Sequence, residues 1–106
     1  MDLRKFDLNL LLVLDALLQD RNVTLAAQRL GISQPTVSAA LKRLRAVFQD
    51  DLFVKTQRGV EPTQLARDLE SVVSEILETV HNDVLNRSIV DPATTERTFR
   101  VMAGEL

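Results

Sequence analysis

Hydrophobic positions recur along most of this chain with a helical period. Between residues 7 and 19, Leu10, Val13, Leu14 and Leu17 fall three and four apart, and Leu11 and Leu18 widen the stripe. That spacing predicts a helix with a broad apolar face, buried against more than one neighbour, with Asp7 as its N-cap. Asp20, Arg21 and Asn22 read as a connector. A short helix follows over residues 24–30, capped by Thr24, with Ala26 and Ala27 small enough for close packing. Gly31 stands where this helix must stop and the chain reverse, a place that calls for positive φ, and Ile32 is expected to plug the turn. Ser33 then caps a third helix over about residues 33–48. Gln34 and Pro35 occupy its first turn, where a missing N–H does no harm. Val37, Leu41, Leu44 and Phe48 form its buried stripe, and Thr36, Ser38, Ala39, Lys42, Arg43 and Arg45 lie on or near its other faces.

After Asp50 and Asp51 the pattern changes. Residues 52–55 have strand character, 56–59 turn character, and Val60-Glu61 returns, which predicts a two-stranded hairpin with Arg58 at a basic tip. Pro62 stops the return strand and Thr63 caps the longest helix, about residues 63–86. Its stripe is Leu65, Leu69, Val72, Ile76, Val80 and Val84, with Val73 and Leu77 beside it; Arg67, Asp68, Glu70, Glu75, Glu78 and Asp83 line the opposite side. Such a helix spans roughly 36 Å, too long for the preceding domain to cover, so the same helix of a second chain is its most economical partner. Residues 87–98 read as a linker. The alternation over residues 97–103 resembles the start of a strand, which leads to the expectation of a further domain beyond it.

Composition narrows the class. The chain of 106 residues has three glycines, three prolines and no cysteine. It has room for one small, mainly helical domain with an appended helix, and disulfides and thiolate metal sites are excluded. The apolar run near the N-terminus is broken by Asn9 and Asp15 and flanked by acids, which argues against a secretory signal and against a bilayer span. The net charge of −2 speaks against a careless assignment to nucleic acid, yet the charge is unevenly spread. Residues 21–58 carry seven Lys or Arg against Asp50 and Asp51; from Thr63 onward four Arg face eight acids. A DNA-binding face needs only local positive potential.

The chemistry follows from that layout. Two short helices, a glycine turn and a second helix opening on Ser33-Gln34-Pro35-Thr36 suit insertion into a major groove. Short polar side chains sit where base edges come closest, and cations lie farther along where phosphates lie. Gln34 can bond adenine bidentately, Lys42 and Arg43 suit phosphates, and Arg58 at a hairpin tip suits a minor groove. Other candidates carry no chemistry. His81 has no second His or Cys at ligand spacing, Glu70, Glu75 and Glu78 lie along a solvated face, and Gly31, Gly59 and Gly104 are isolated, so no metal site, catalytic residue or phosphate loop is expected. The competing reading is a protein–protein interaction or dimerisation module whose helix-turn-helix is only a scaffold, favoured by the acidic net charge and the long apolar stripe.

The residues Thr24, Ala26-Ala27, Leu30, Ile32-Ser33-Gln34-Pro35, Val37-Ser38, Leu41-Lys42-Arg43-Leu44, Leu52-Phe53, Lys55, Arg58 and Pro62-Thr63 together resemble the N-terminal DNA-binding domain of LysR-type transcriptional regulators, nearly continuously from residue 8 to 69. The opening MDLRKFDLNLL and the string DDLFVKTQRGVEPTQLA are most similar to the subgroup that controls aromatic-compound catabolism and nodulation. The resemblance implies a mainly α fold: a winged helix-turn-helix of three helices plus a two-stranded wing (residues 1–62), a linker or dimerisation helix (63–88), then a hinge and the first strand of an effector-binding domain (89–106). It implies base contacts from Gln34, Pro35, Thr36, Ser38 and Arg58, backbone contacts from Thr24, Lys42, Arg43 and Lys55, and a dimer interface of Leu65, Leu69, Val72, Val73, Ile76, Leu77, Val80 and Val84. It implies double-stranded DNA as partner, at an inverted repeat near a promoter, with a homodimer that becomes a tetramer in the full-length protein. Contact with RNA polymerase, a cytoplasmic location and a small-molecule inducer for the further domain belong to the same expectation, with no cofactor in the residues present. Two positions depart from the family pattern. Ala39 stands where relatives often carry arginine, which puts one DNA contact in doubt, and the glycine common after Thr63 is absent.

Overall fold

The computed structural model describes residues 1–88, so the expected strand over residues 97–103 and nearly all of the expected linker lie outside the described residues. A 3-10 turn, Leu3–Lys5, precedes helices α1 (Asn9–Asp20), α2 (Val23–Leu30) and α3 (Gln34–Phe48). Strands β1 (Phe53–Thr56) and β2 (Gly59–Pro62) come next, then helix α4 (Gln64–Thr79), a π-helical stretch Val80–Leu85 and a last helical turn, Asn86–Ser88. The described residues fall into two units, Met1–Ser74 and a second that begins at Glu75.

In the first unit α1 packs on both α2 and α3, and α2 on α3. The apolar stripes read from the sequence supply the core: Leu14, Leu17, Val37 and Leu44 are wholly buried, and Leu10, Val13, Leu18, Ala26, Ala27 and Leu41 join them. Burying each of these leucine and valine side chains contributes about 1.5–3 kcal/mol. Leu52 and Phe53, at the base of the hairpin, are also wholly buried and anchor it to the helices.

Several local expectations need correction. Helix α2 begins at Val23 and its N-cap is Asn22, not Thr24: Asn22 is extended (φ −157°) and its Oδ1 accepts the Leu25 N–H at 2.9 Å. The N-cap position of α1 falls on Leu8, although the Asp7 carboxylate still accepts the Asn9 N–H at 2.9 Å. Ile32 is no plug; it is 37% exposed. Phe48 is only half-buried, because α3 ends there and Gln49 turns left-handed (φ 53°). The long helix is α-helical only to Thr79 before its turns widen.

Other expectations hold. Gly31 ends α2 at φ 69°, with its N–H on the Ala27 and Gln28 carbonyls. Ser33 caps α3, accepting the Thr36 N–H at 3.3 Å. The hairpin is antiparallel with Phe53 opposite Pro62 and Thr56 opposite Gly59, leaving Gln57 and Arg58 as the turn. Thr63 caps α4 by accepting the Ala66 N–H at 3.3 Å.

Candidate nucleic-acid interface

Helix α3 turns 3.6 residues per revolution, which sorts its side chains into four lines. Val37, Ala40, Leu41 and Leu44 are buried. Pro35, Ala39, Lys42 and Ala46 run along the opposite line, and all four are exposed. Gln34, Ser38 and Arg45 occupy the flank toward the hairpin, and Thr36 and Arg43 the flank toward α1. The hairpin-side flank borders a cleft of about 380 Å³ that Thr24, Gln34, Ser38 and Lys55 all line. Thr24 and Gln34 touch there, the threonine hydroxyl donating to Gln34 Oε1 at 3.4 Å. The structure therefore brings together two of the predicted base-reading residues and two of the predicted backbone-binding ones.

The seven cations of residues 21–58 prove unequal. Arg29 is committed to Asp20, with Nε and Nη2 each donating at 2.8 Å to a different carboxylate oxygen. That bidentate pair holds Asp20 below the ordinary carboxylate range and Arg29 above the ordinary arginine one. Arg45 donates to the backbone carbonyls of Asp51 (2.8 Å) and Phe53 (2.9 Å), so it ties α3 to the start of β1. Arg21 is left-handed (φ 50°), accepts the Val60 N–H on its carbonyl at 3.1 Å and pairs with Glu61 at 3.2 Å. Arg43 makes a single contact, from Nη1 to Asp7 Oδ2 at 3.3 Å. Among the described residues, Lys42, Lys55 and Arg58 form no ion pair within the chain. The cations left for an external anion are those on the outward line of α3 and on the hairpin.

The hairpin is positioned by residues that sequence reasoning passed over. Gly59 has φ 136°, and a Cβ there would collide with the Arg21 carbonyl oxygen. Asp50 Oδ2 accepts the Leu52 N–H at 2.9 Å and the Thr63 hydroxyl at 2.7 Å, joining the entry of β1 to the start of α4. The Thr63 hydroxyl and then the Leu52 N–H hold the Asp50 carboxyl below its usual range. In the sequence Arg21 is one residue of a connector and Arg45 one more cation on or near an outer face of α3. Only the carboxylate-flanked glycine hairpin hinted at such ties.

Of the apolar stripe on the long helix, Val72, Ile76, Val80 and Val84 are exposed, while Leu65, Leu69 and Leu77 are half-buried. Val73 is 3% exposed and belongs to the interior of its own chain, not to an open face. Among the described residues there is no cluster of three or more His, Cys, Asp or Glu able to hold a metal, and no helix long and apolar enough to cross a membrane.

Comparison with known proteins agrees with this geometry. Residues 8–67 match the model of the bacterial regulatory helix-turn-helix proteins of the lysR family. The chain belongs to the LysR family. It is 48% identical over 106 residues to the HTH-type transcriptional activator NahR of Pseudomonas putida, covering all of this chain and 35% of that protein. It is 41% identical over 105 residues to Nodulation protein D 1 of Bradyrhizobium elkanii, covering 99% of this chain and 33% of the relative. Likeness to a nodulation protein accords with the narrower resemblance read from the sequence. The LysR-family chain thus spans about a third of the length of these curated relatives. Among solved structures, it superposes on the CbnR DNA-binding domain in its DNA complex with a TM-score of 0.69 and 26% identity, over 78% of this chain and 94% of that one. Mainly helical architecture with a two-stranded wing is the family fold, as the sequence predicts.

Proposed function

We propose that this chain is the sequence-specific DNA-binding module of a bacterial LysR-type transcriptional regulator. Helix α3 enters the major groove, with Gln34, Pro35, Thr36 and Ser38 at base edges. Arg58 at the tip of the wing enters the adjacent minor groove, and Thr24, Lys42, Arg43 and Lys55 contact phosphates. The observation that carries this reading is the cleft shared by Thr24, Gln34, Ser38 and Lys55, beside a hairpin whose Arg58 forms no ion pair among the described residues. Family membership and likeness to a domain solved with DNA support it. One such module reads too few bases to be selective in a genome, so two half-sites are needed.

The same proposal assigns residues 1–62 to DNA, 63–88 to pairing of two chains through Leu65, Leu69, Val72, Ile76, Leu77, Val80 and Val84, and 89–106 to the hinge and first strand of an effector domain. A tetrameric full-length protein, an inducer bound by that domain, contact with RNA polymerase and a cytoplasmic setting complete it. The test is selection of bound duplexes from a random library at about physiological salt. Enrichment of an inverted repeat with fixed half-site spacing is the expected result; binding that only fades with salt overturns it.

The exposed Val72, Ile76, Val80 and Val84 also favour the second reading, an interaction module. Gln34→Ala and Arg58→Ala discriminate: in a DNA reader they spoil DNA binding and leave oligomeric state alone. In an interaction module they change neither.

A further inference from the structure

Arg43 stands apart from the other cations of the interface. It lies on the flank of α3 that faces α1, one turn beyond Ala39, and among the described residues its one ion-pair partner is Asp7. The contact is a single one at 3.3 Å, at the long end for a hydrogen bond. The arginine side chain is 60% exposed and the aspartate 34%. The Arg29–Asp20 pair shows what a committed arginine looks like in the same domain: two bonds at 2.8 Å, with the aspartate only 14% exposed. Asp7, meanwhile, is fixed independently of Arg43. Its Oδ1 accepts the Asn9 N–H at 2.9 Å at the start of α1, and that bond comes first among the causes that keep the carboxyl ionised. The carboxylate therefore stays charged and in place whether or not Arg43 remains beside it.

We propose that Asp7 is a built-in counter-ion for Arg43, so that a DNA phosphate must displace the carboxylate before this arginine grips the backbone. The proposal rests on the DNA-binding reading above. A phosphate that approaches Arg43 meets the Asp7 carboxylate beside it, and because phosphates are the same in every sequence this fixed anion opposes every duplex equally. Affinity for arbitrary DNA is lowered, and base contacts on the other flank of α3 decide more of the outcome. Asp7 is thus a positioning residue for specificity, acting through Arg43.

The test uses the 106-residue chain and duplexes of random and selected sequence, titrated across a salt series. Asp7→Asn keeps an oxygen for the Asn9 N–H, since asparagine and aspartate cap equally well; Asp7→Ser serves as a second capping replacement. Both variants are expected to bind random duplex about two- to fivefold more tightly at low salt, the scale of an exposed ion pair. Their log–log salt slope steepens by about one, for one more phosphate neutralised. Arg43→Ala costs more affinity in the Asp7→Asn background than in the parent. A merely structural Asp7 would change the melting temperature and leave the slope alone. Weaker binding by both variants, or an equal cost of Arg43→Ala in the two backgrounds, overturns the counter-ion role while the DNA reading stands. Failure of the parent chain to bind any duplex overturns both.

Discussion

At the scale of single residues, backbone conformation decides more than side-chain contact does. Gly31 has open space around it but sits at φ 69°. Gly31→Ala should therefore destabilise by about 1 kcal/mol through backbone strain alone, read as a lower urea midpoint with an unchanged slope. Gly59→Ala should be worse and differ in kind, because the added methyl also meets the Arg21 carbonyl. The wing must shift, and in the proposed DNA complex preference at the base pairs assigned to Arg58 should fall while preference at those assigned to Gln34 persists. The cap of α2 shows where residue-level reading fails. Asn22 and Thr24 are both capping types two positions apart, and the string does not say which one turns extended. The structure chooses Asn22, whose oxygen reaches Leu25. Asn22→Ala should cost about 1 kcal/mol of stability, and Thr24→Ala close to none, in parallel thermal melts.

At the scale of elements, the three helices and the hairpin were legible because each has its own hydrophobic period and its own stop residue. How the hairpin is tied down was not, because Arg21, Arg45 and Asp50 act on partners 40, 8 and 13 positions away. Asp50 gives a pH signature. Its folded pKa lies below the ordinary value of 3.8, held there by the Thr63 hydroxyl and the Leu52 N–H. A depressed carboxylate pKa means stabilisation that is complete above the unfolded value and is lost as pH falls through the folded one. Asp50→Asn should thus melt at a lower temperature than the parent near neutral pH. The gap should close below about pH 4, as seen by circular dichroism at a series of pH values. A gap that stays constant down to acid pH would mean that the carboxylate charge plays no part in the latch.

At the scale of the whole molecule, the question is what covers the apolar positions of the long helix. Ile76 and Val80 are each 41% exposed, and Val73 is not available to a partner. In the proposed homodimer, Ile76→Asp or Val80→Asp should convert a dimer to a monomer by sedimentation and weaken operator binding at least tenfold, since both half-sites must be held together. A variant that still dimerises and binds normally would place the interface elsewhere. Charge is also a molecular property here. The net −2 describes the chain poorly, because Arg21, Arg29 and Arg45 are engaged inside it while Lys42, Lys55 and Arg58 form no ion pair among the described residues.

By itself the sequence determined the helix-turn-helix, the wing, the stop at Gly31 and the caps at Ser33 and Thr63. All of these rest on local spacing and on residues whose conformational preferences are strong on their own. Tertiary structure alone decided which arginines remain open, which stripe residue is buried, and that Arg21 holds the wing. Each of those depends on a partner distant in sequence, and an ion pair or a close backbone approach leaves no period in the string.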